Sequence, residues 1–377
     1  MVRWEADFYY TEKLHIDGQH ELAAARFAAL QAEARTPHDA DDAGLMACET
    51  QARGGDPAAG SACYDALAVA GFGRDVRMRA LLHAAELRLY DLGKPKEGLL
   101  LCDALVRKAP DTAAALRALD HLTLEAQKDA GRREAAIARF LHLEQADPTS
   151  DMADNLLLRA AMLLEGEGSR KALATAVTLL ERHEKHHHED ATAMDAMTSR
   201  ARILGKLGRL HEEARDLERI VLTYETSYVF ASYVLEAHKV AAGRLIELYR
   251  GPLLNLKRAE QHARHLPEML RKPLKMPAYF ATLAEIQEQR GNLRGALHTW
   301  RDLLAAVKAR HADMRENDER ICDELDARAA TKACLDEVRS HPFIDPAEVP
   351  RAHREIARLE AVLAGGQRRA DAQGGAP

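Results

Sequence analysis

Eight glycines, Gly18, Gly55, Gly93, Gly131, Gly168, Gly208, Gly251 and Gly291, recur along the chain at intervals of 37 to 43 residues. A period of this length marks stacked supersecondary units, because one such unit cannot bury its apolar face without a neighbour. The residues after each glycine repeat as well. Nine positions on, in most copies, stands a bulky or apolar residue: Phe27, Tyr64, Cys102, Phe140, Val177, Leu217 and Trp300. Five positions on stands a small one in most copies: Ala23, Gly60, Gly98, Ala136 and Ala296. Each unit therefore reads as two antiparallel helices around a glycine turn, and the chain as an all-α solenoid.

Composition agrees with this reading. Hydrophobic residues make up 47% of the 377 positions, enough for a continuous core, and alanine, leucine, arginine and glutamate favour helix. No alternating β-branched run bounded by turn residues is present. A charged fraction of 30% with a net charge of −6 supplies no basic field for nucleic acid and no polybasic membrane anchor. No apolar stretch is long enough to span a bilayer. The start, from Met1 to Asp7, lacks an apolar signal segment, which points to the cytoplasm.

The repeats are expected over residues 1–310 as about eight helix pairs, irregular near 251–277, where Pro252, Pro267, Pro273 and Pro277 crowd together. Residues 311–364 are expected to close the array, with a hairpin beyond Ala309 and a last helix from Arg351 to Leu363. Residues 365–377 read as a disordered polar tail.

The small, turn, small and aromatic positions Ala284, Gly291, Ala296 and Trp300 resemble the tetratricopeptide repeat (TPR). Gly131, Ala136, Phe140 and Pro148 match its second half, as do Gly18, Ala23 and Phe27. The likeness covers roughly residues 3–310, with a spacing longer than the family's usual ~34. It implies a right-handed superhelix whose concave groove, lined by the first (A) helix of each pair, binds peptides or partner helices. Some members hold a terminal carboxylate with lysine and asparagine. Glu49, Glu125, Arg202 and Glu285 stand at the equivalent positions here, so that activity is not carried over.

Among chemistry-bearing patterns, His183-Glu184-Lys185-His186-His187 matches HExxH. His183 and His187 would share a helix face and could ligate zinc, with Glu184 as base and Glu212 or Asp216 downstream. The charged neighbours and the position at the end of a second helix favour a solvated helix end instead, so a zinc peptidase is the enzyme alternative. Cys48 and Cys63 are centred on the Gly54-Gly55 turn, and Cys322 and Cys334 straddle Ala327 to Ala330. Both pairs suit disulfides across a helical hairpin, which would imply a periplasmic or envelope location. Cys102, in an aromatic slot, reads as core. The acidic pairs Asp41-Asp42 and Glu212-Glu213 read as helix-start charges. Tyr228 and Tyr233, and Tyr9 and Tyr10 near the open end, are the candidate partner-binding anchors.

These readings converge on a non-enzymatic scaffold that binds a protein or peptide, with no cofactor and no nucleic acid. The alanine- and arginine-rich composition suggests a bacterial source. A structural part of an exported assembly is the alternative that the cysteine pairs raise.

Overall fold

The structure, a computed structural model, describes residues 2–150, 152–189, 192–223, 232–269, 277–323, 332 and 347–374. Among the described residues the regular elements are all helices. The chain forms two compact units, Met1–Ser199 and Arg200–Pro377. The first contains α1 (Val2–Ile16), α2 (His20–Glu33), α3 (Pro37–Arg53), α4 (Pro57–Ala70) and α5 (Arg74–Tyr90). It continues through α6 (Pro95–Lys108), α7 (Ala113–Ala126), α8 (Ala130–Ala146), α9 (Ala153–Glu167) and α10 (Arg170–His187). The boundary falls within α11 (Ala193–Lys206). The second unit holds α12 (Leu210–Thr223), α13 (Ser232–Arg250), α14 (Leu256–Met269), α15 (Pro277–Gln289), α16 (Leu293–Asp323) and α17 (Glu348–Gly374).

Through the first unit each helix from α1 to α10 packs on the next. The A helices α1, α3, α5, α7 and α9 also touch their successors in the odd-numbered series. Nearest-neighbour stacking of helix pairs is the α-solenoid arrangement.

The glycine period works through backbone conformation. Gly18, Gly55, Gly93, Gly168, Gly208 and Gly291 have φ between +64° and +94°, where a Cβ is disfavoured. Side-chain caps then start the next helix: Asp56 accepts from the Ala59 amide at 2.8 Å, and Ser169 from Ala172 at 3.1 Å. Pro37, Pro57 and Pro95 occupy first-turn positions that need no amide donor. Two of the eight glycines depart from this pattern. Gly131 lies inside α8, whose cap is Asp129, and Gly251 has an ordinary φ while Leu254 takes the left-handed conformation at +48°.

The residues nine positions after seven of the eight glycines fill the core. Phe27 and Cys102 are fully buried, and Phe140, Trp300, Val177, Tyr64 and Leu217 nearly so. The small slot is a matter of clearance. A Cβ at Gly60 would stand 2.6 Å from that of Ala52, so α3 and α4 approach too closely for alanine.

A polar series keeps the same period. Arg74 pairs with Asp111, Arg139 with Asp103 and Arg182 with Glu144, at sequence separations of 37, 36 and 38. Each pair ties one repeat to the next.

A disulfide joins Cys48 of α3 to Cys63 of α4, with Cα atoms 5.3 Å apart. It closes a 15-residue separation, for which chain entropy gives about 3 kcal/mol. Reduction should therefore lower the unfolding free energy of the first unit by that amount, measured by urea denaturation with and without reductant. An unchanged midpoint would show that the hairpin does not depend on the bridge.

In the second unit, Trp300, Leu303, Val307, Val349, Ala352 and Leu359 form one core, so α17 seals α15 and α16. The turn of the closing hairpin expected beyond Ala309, at 327–330, lies outside the described residues, and α16 runs unbroken to Asp323 through a segment rich in alanine, arginine and glutamate. One expectation needs correction here. The expected disordered tail is helical to Gly374, and α17 starts at Glu348 rather than Arg351. Alanine, glutamine and arginine there outweigh the two glycines at 365–366.

Candidate functional site

The most connected side-chain cluster on the A helices of the first unit is centred on Glu86. This residue lies on α5, one turn before Tyr90 and one turn after His83. Helical spacing places all three on one face, toward Arg117 and His121 of α7. Glu86 Oε1 lies 2.9 Å from His121 Nε2, and Oε2 lies 3.0 Å from His83 Nδ1. Arg117 Nε approaches Oε1 at 3.5 Å. Tyr90 Oη is 2.8 Å from His121 Nδ1.

Charge fixes the direction of donation. Burial raises the Glu86 carboxyl pKa, but hydrogen bonds from His121 and His83 outweigh it and bring it to about 2. Glu86 is therefore an anion that accepts from both imidazoles. With Nε2–H donated to Glu86, the Nδ1 of His121 is the partner left for the Tyr90 hydroxyl. Burial likewise raises the Tyr90 pKa, so the phenol keeps its proton. His121 is 8% exposed, whereas Tyr90 is 57% exposed. A buried imidazole, held by the half-buried Glu86, thus positions a ring that faces solvent.

The low pKa of Glu86 has a consequence for stability. A carboxyl whose pKa falls from 4.5 to about 2 on folding stabilises the fold fully above 4.5, and that contribution is lost as pH drops toward 2. Glu86→Gln should cost about 1–2 kcal/mol at neutral pH, after allowance for solvent screening. Urea midpoints of wild type and variant should converge between about pH 4.5 and pH 2. A gap constant with pH would contradict the ionised network.

The HExxH helix end is not solvated, which corrects the expectation. His183 is fully buried and His187 is 9% exposed, with ring centroids 5.4 Å apart. They extend the buried stripe of Leu173, Ala176, Val177 and Leu180 along α10, while the intervening charges point outward. The Thr192 hydroxyl donates to Asp154 at 2.6 Å and sits 2.9 Å from His183 Nε2, which fixes that nitrogen as the donor. A cavity of about 1000 Å³ opens beside this cluster, lined by Glu144, Asn155, Arg182, His187 and Thr192 among others.

The expected downstream metal ligands are engaged otherwise. Asp216 holds Arg200 at 2.7 Å, and Glu212 holds Arg209 at 2.6 Å. Among the described residues no group of three or more histidine, cysteine, aspartate or glutamate side chains is placed to hold a metal.

No family model and no curated protein matches the chain. Solved structures with a similar path include Naa15/Naa10 bound to HypK-THB, at 17% identity and a TM-score of 0.38. That match spans 88% of this chain but only 49% of the other, so this chain covers about half its length. The human IFIT1 dimer with PPP-AAAA is similar at 13% identity and a TM-score of 0.30, over 96% of this chain and 81% of the other. A monomeric IFIT1 mutant with Gppp-AAAA gives the same TM-score.

The tyrosines singled out from sequence are distributed unevenly. Tyr9 and Tyr10 on α1 are 68% and 51% exposed, and Arg26 stacks over the Tyr10 ring at 5.1 Å. Tyr228 and Cys334 lie outside the described residues, as do the side chains of Tyr233 and Cys322. Cys102 is buried, and its thiol pKa is pushed up to about 12 by burial, so it is an unreactive core residue. Asp41 is not a helix-start charge facing water. It is buried and accepts from the Phe72 and Gly73 amides at 2.9 and 2.7 Å, bracing the turn between α4 and α5. Glu213 is likewise buried and paired with Arg244 at 2.7 Å.

Among the described residues no helix is long and apolar enough to cross a membrane.

Proposed function

We propose that this chain is a TPR-type, non-enzymatic scaffold whose A-helix face across α5 and α7 binds a peptide segment of a partner protein. The observation that carries this reading is Tyr90, an exposed aromatic ring whose hydroxyl is held by buried His121, itself bonded to Glu86. An aromatic whose position is fixed before binding loses little entropy on contact, which is what an interface anchor requires. Exposed Leu124 on α7 adds apolar surface, and Arg117 adds a cation for an acidic residue of the partner. The net charge of −6 favours a protein partner over nucleic acid.

The disulfide Cys48–Cys63 favours an oxidising compartment, and with it the reading as part of an exported assembly.

Tyr90→Ala should weaken the partner by about 2 kcal/mol or more, roughly thirtyfold, as anchor truncations do. Leu100→Ala, at a 69% exposed position on α6, should leave binding unchanged. Affinity capture from the native cell, followed by titration of the recovered partner, measures both. Equal losses at the two positions, or none at Tyr90, would remove the assignment.

A further inference from the structure

The cavity of about 1000 Å³ beside the α10 histidines lies within the first unit, among the turn after α8, the first turn of α9 and the end of α10. Asp154 lines it together with Asn155 and Thr192, the two residues that bond its carboxylate. Asp154 is 7% exposed and accepts from the Asn155 amide at 2.6 Å, Asn155 Nδ2 at 2.8 Å and the Thr192 hydroxyl at 2.6 Å. All three donors are neutral, and His183 reaches the carboxylate only through the Thr192 hydroxyl. Among the described residues no lysine, arginine or histidine forms an ion pair with Asp154.

A buried carboxylate is ordinarily paired with a cation, and elsewhere in this chain that is so. Glu125 holds Lys128 and Arg132, Glu213 holds Arg244, Asp216 holds Arg200, and Glu260 holds Arg264. Asp41 is the other exception, and there two backbone amides cap it. The start of α9 favours a negative charge at Asp154, but a helix end supplies only about half a positive charge.

The polar groups around the cavity are also short of donors. Arg182, the only lysine or arginine in the lining, is bonded to buried Glu144. The Thr192 proton goes to Asp154, and the hydroxyl protons of Thr149 and Ser150 go to Asp147. Asn155 turns its amide nitrogen to Asp154, which leaves its Oδ1 as an acceptor directed away from that carboxylate.

We infer that this cavity binds the primary ammonium group of a small amine or of a lysine side chain. The ammonium supplies the charge that Asp154 lacks and donates to Asp154 and to Asn155 Oδ1. Two observations select this class of cation. Among the described residues no three ligating side chains converge to hold a metal ion. A quaternary ammonium is held by aromatic faces, and no tryptophan, tyrosine or phenylalanine lines the cavity. The volume, at the upper end of the usual ~300–1000 Å³ range for ligand pockets, accommodates the alkyl chain behind the ammonium. This inference stands apart from the peptide reading at α5 and α7 and survives its failure.

The test is calorimetric titration of the full chain, at fixed ionic strength, with 1,4-diaminobutane and with Nα-acetyl-lysine methylamide, each to about 10 mM. At least one should bind saturably, and the tighter of the two identifies the source as a free amine or a lysine side chain. Tetramethylammonium and calcium chloride, which offer charge without N–H donors, should bind at least about tenfold more weakly. Asp154→Asn keeps the shape and removes the charge, and with unchanged circular dichroism it should weaken binding at least about tenfold. Asn155→Ala, which leaves the carboxylate in place, should weaken it about threefold or more. Glu181→Gln, at an exposed position on α10, should change it less than about twofold. Absence of saturable binding by both amines overturns the inference. So does tetramethylammonium or calcium binding as tightly, or an equal loss in Glu181→Gln, which would assign general surface charge.

Discussion

Phe140→Ala should destabilise the first unit by about 3–5 kcal/mol, the range for a large aromatic removed from a close-packed core. Phe140 is 1% exposed on α8, which packs on both α7 and α9, so the lost ring opens a void between repeats rather than at the surface. Glu134→Ala, at an exposed position on the same helix, should move stability by less than about 0.5 kcal/mol. Urea denaturation followed by circular dichroism distinguishes the two. A loss below about 1 kcal/mol for Phe140→Ala would mean that the position nine residues after each glycine does not fix the stacking.

The second large effect concerns charge. Arg200 and Asp216 are 7% and 6% exposed and bind through two N–H···O contacts, each of 2.7 Å. Desolvating both charges is costly, and their attraction offsets that cost only while both are present. Asp216→Ala should therefore cost about 3–5 kcal/mol in the second unit. The double variant Arg200→Met, Asp216→Leu should recover most of this, because it removes the buried guanidinium as well as the carboxylate. A single-variant cost near that of a surface pair, about 1 kcal/mol or less, would contradict the buried-pair account.

The contrast between these two residues shows what a sequence of this kind reveals. Phe140 was legible because packing positions recur at a fixed offset from a glycine whose left-handed φ ends a helix. The glycine period misplaces the turn at Gly131, which lies one residue inside α8, and Ala136 is correspondingly only half-buried. Ion pairs were harder to read, since a charge carries no label for its partner. A signal existed nonetheless: opposite charges one repeat apart, as in Asp103 with Arg139 and Glu144 with Arg182.

The histidines mislead for a related reason. Charged neighbours make residues 181–188 look solvated, yet the four-residue step from His183 to His187 continues the buried stripe of α10. The Glu86 cluster was invisible for a different one. It is assembled from two A helices, and only the fold brings His121 within 2.9 Å of a carboxylate 35 residues away. Neither residue stands out within its own helix.

The claim that α5 and α7 present the partner-binding face is tested most directly by placing a photo-activated crosslinking residue at position 90, and in a second variant at position 100. After irradiation in the native cell, position 90 should yield a discrete adduct whose crosslink maps to a single peptide segment of the partner. Position 100 should yield none. Adducts at 100 with none at 90 would place the partner on the B helices and contradict the account.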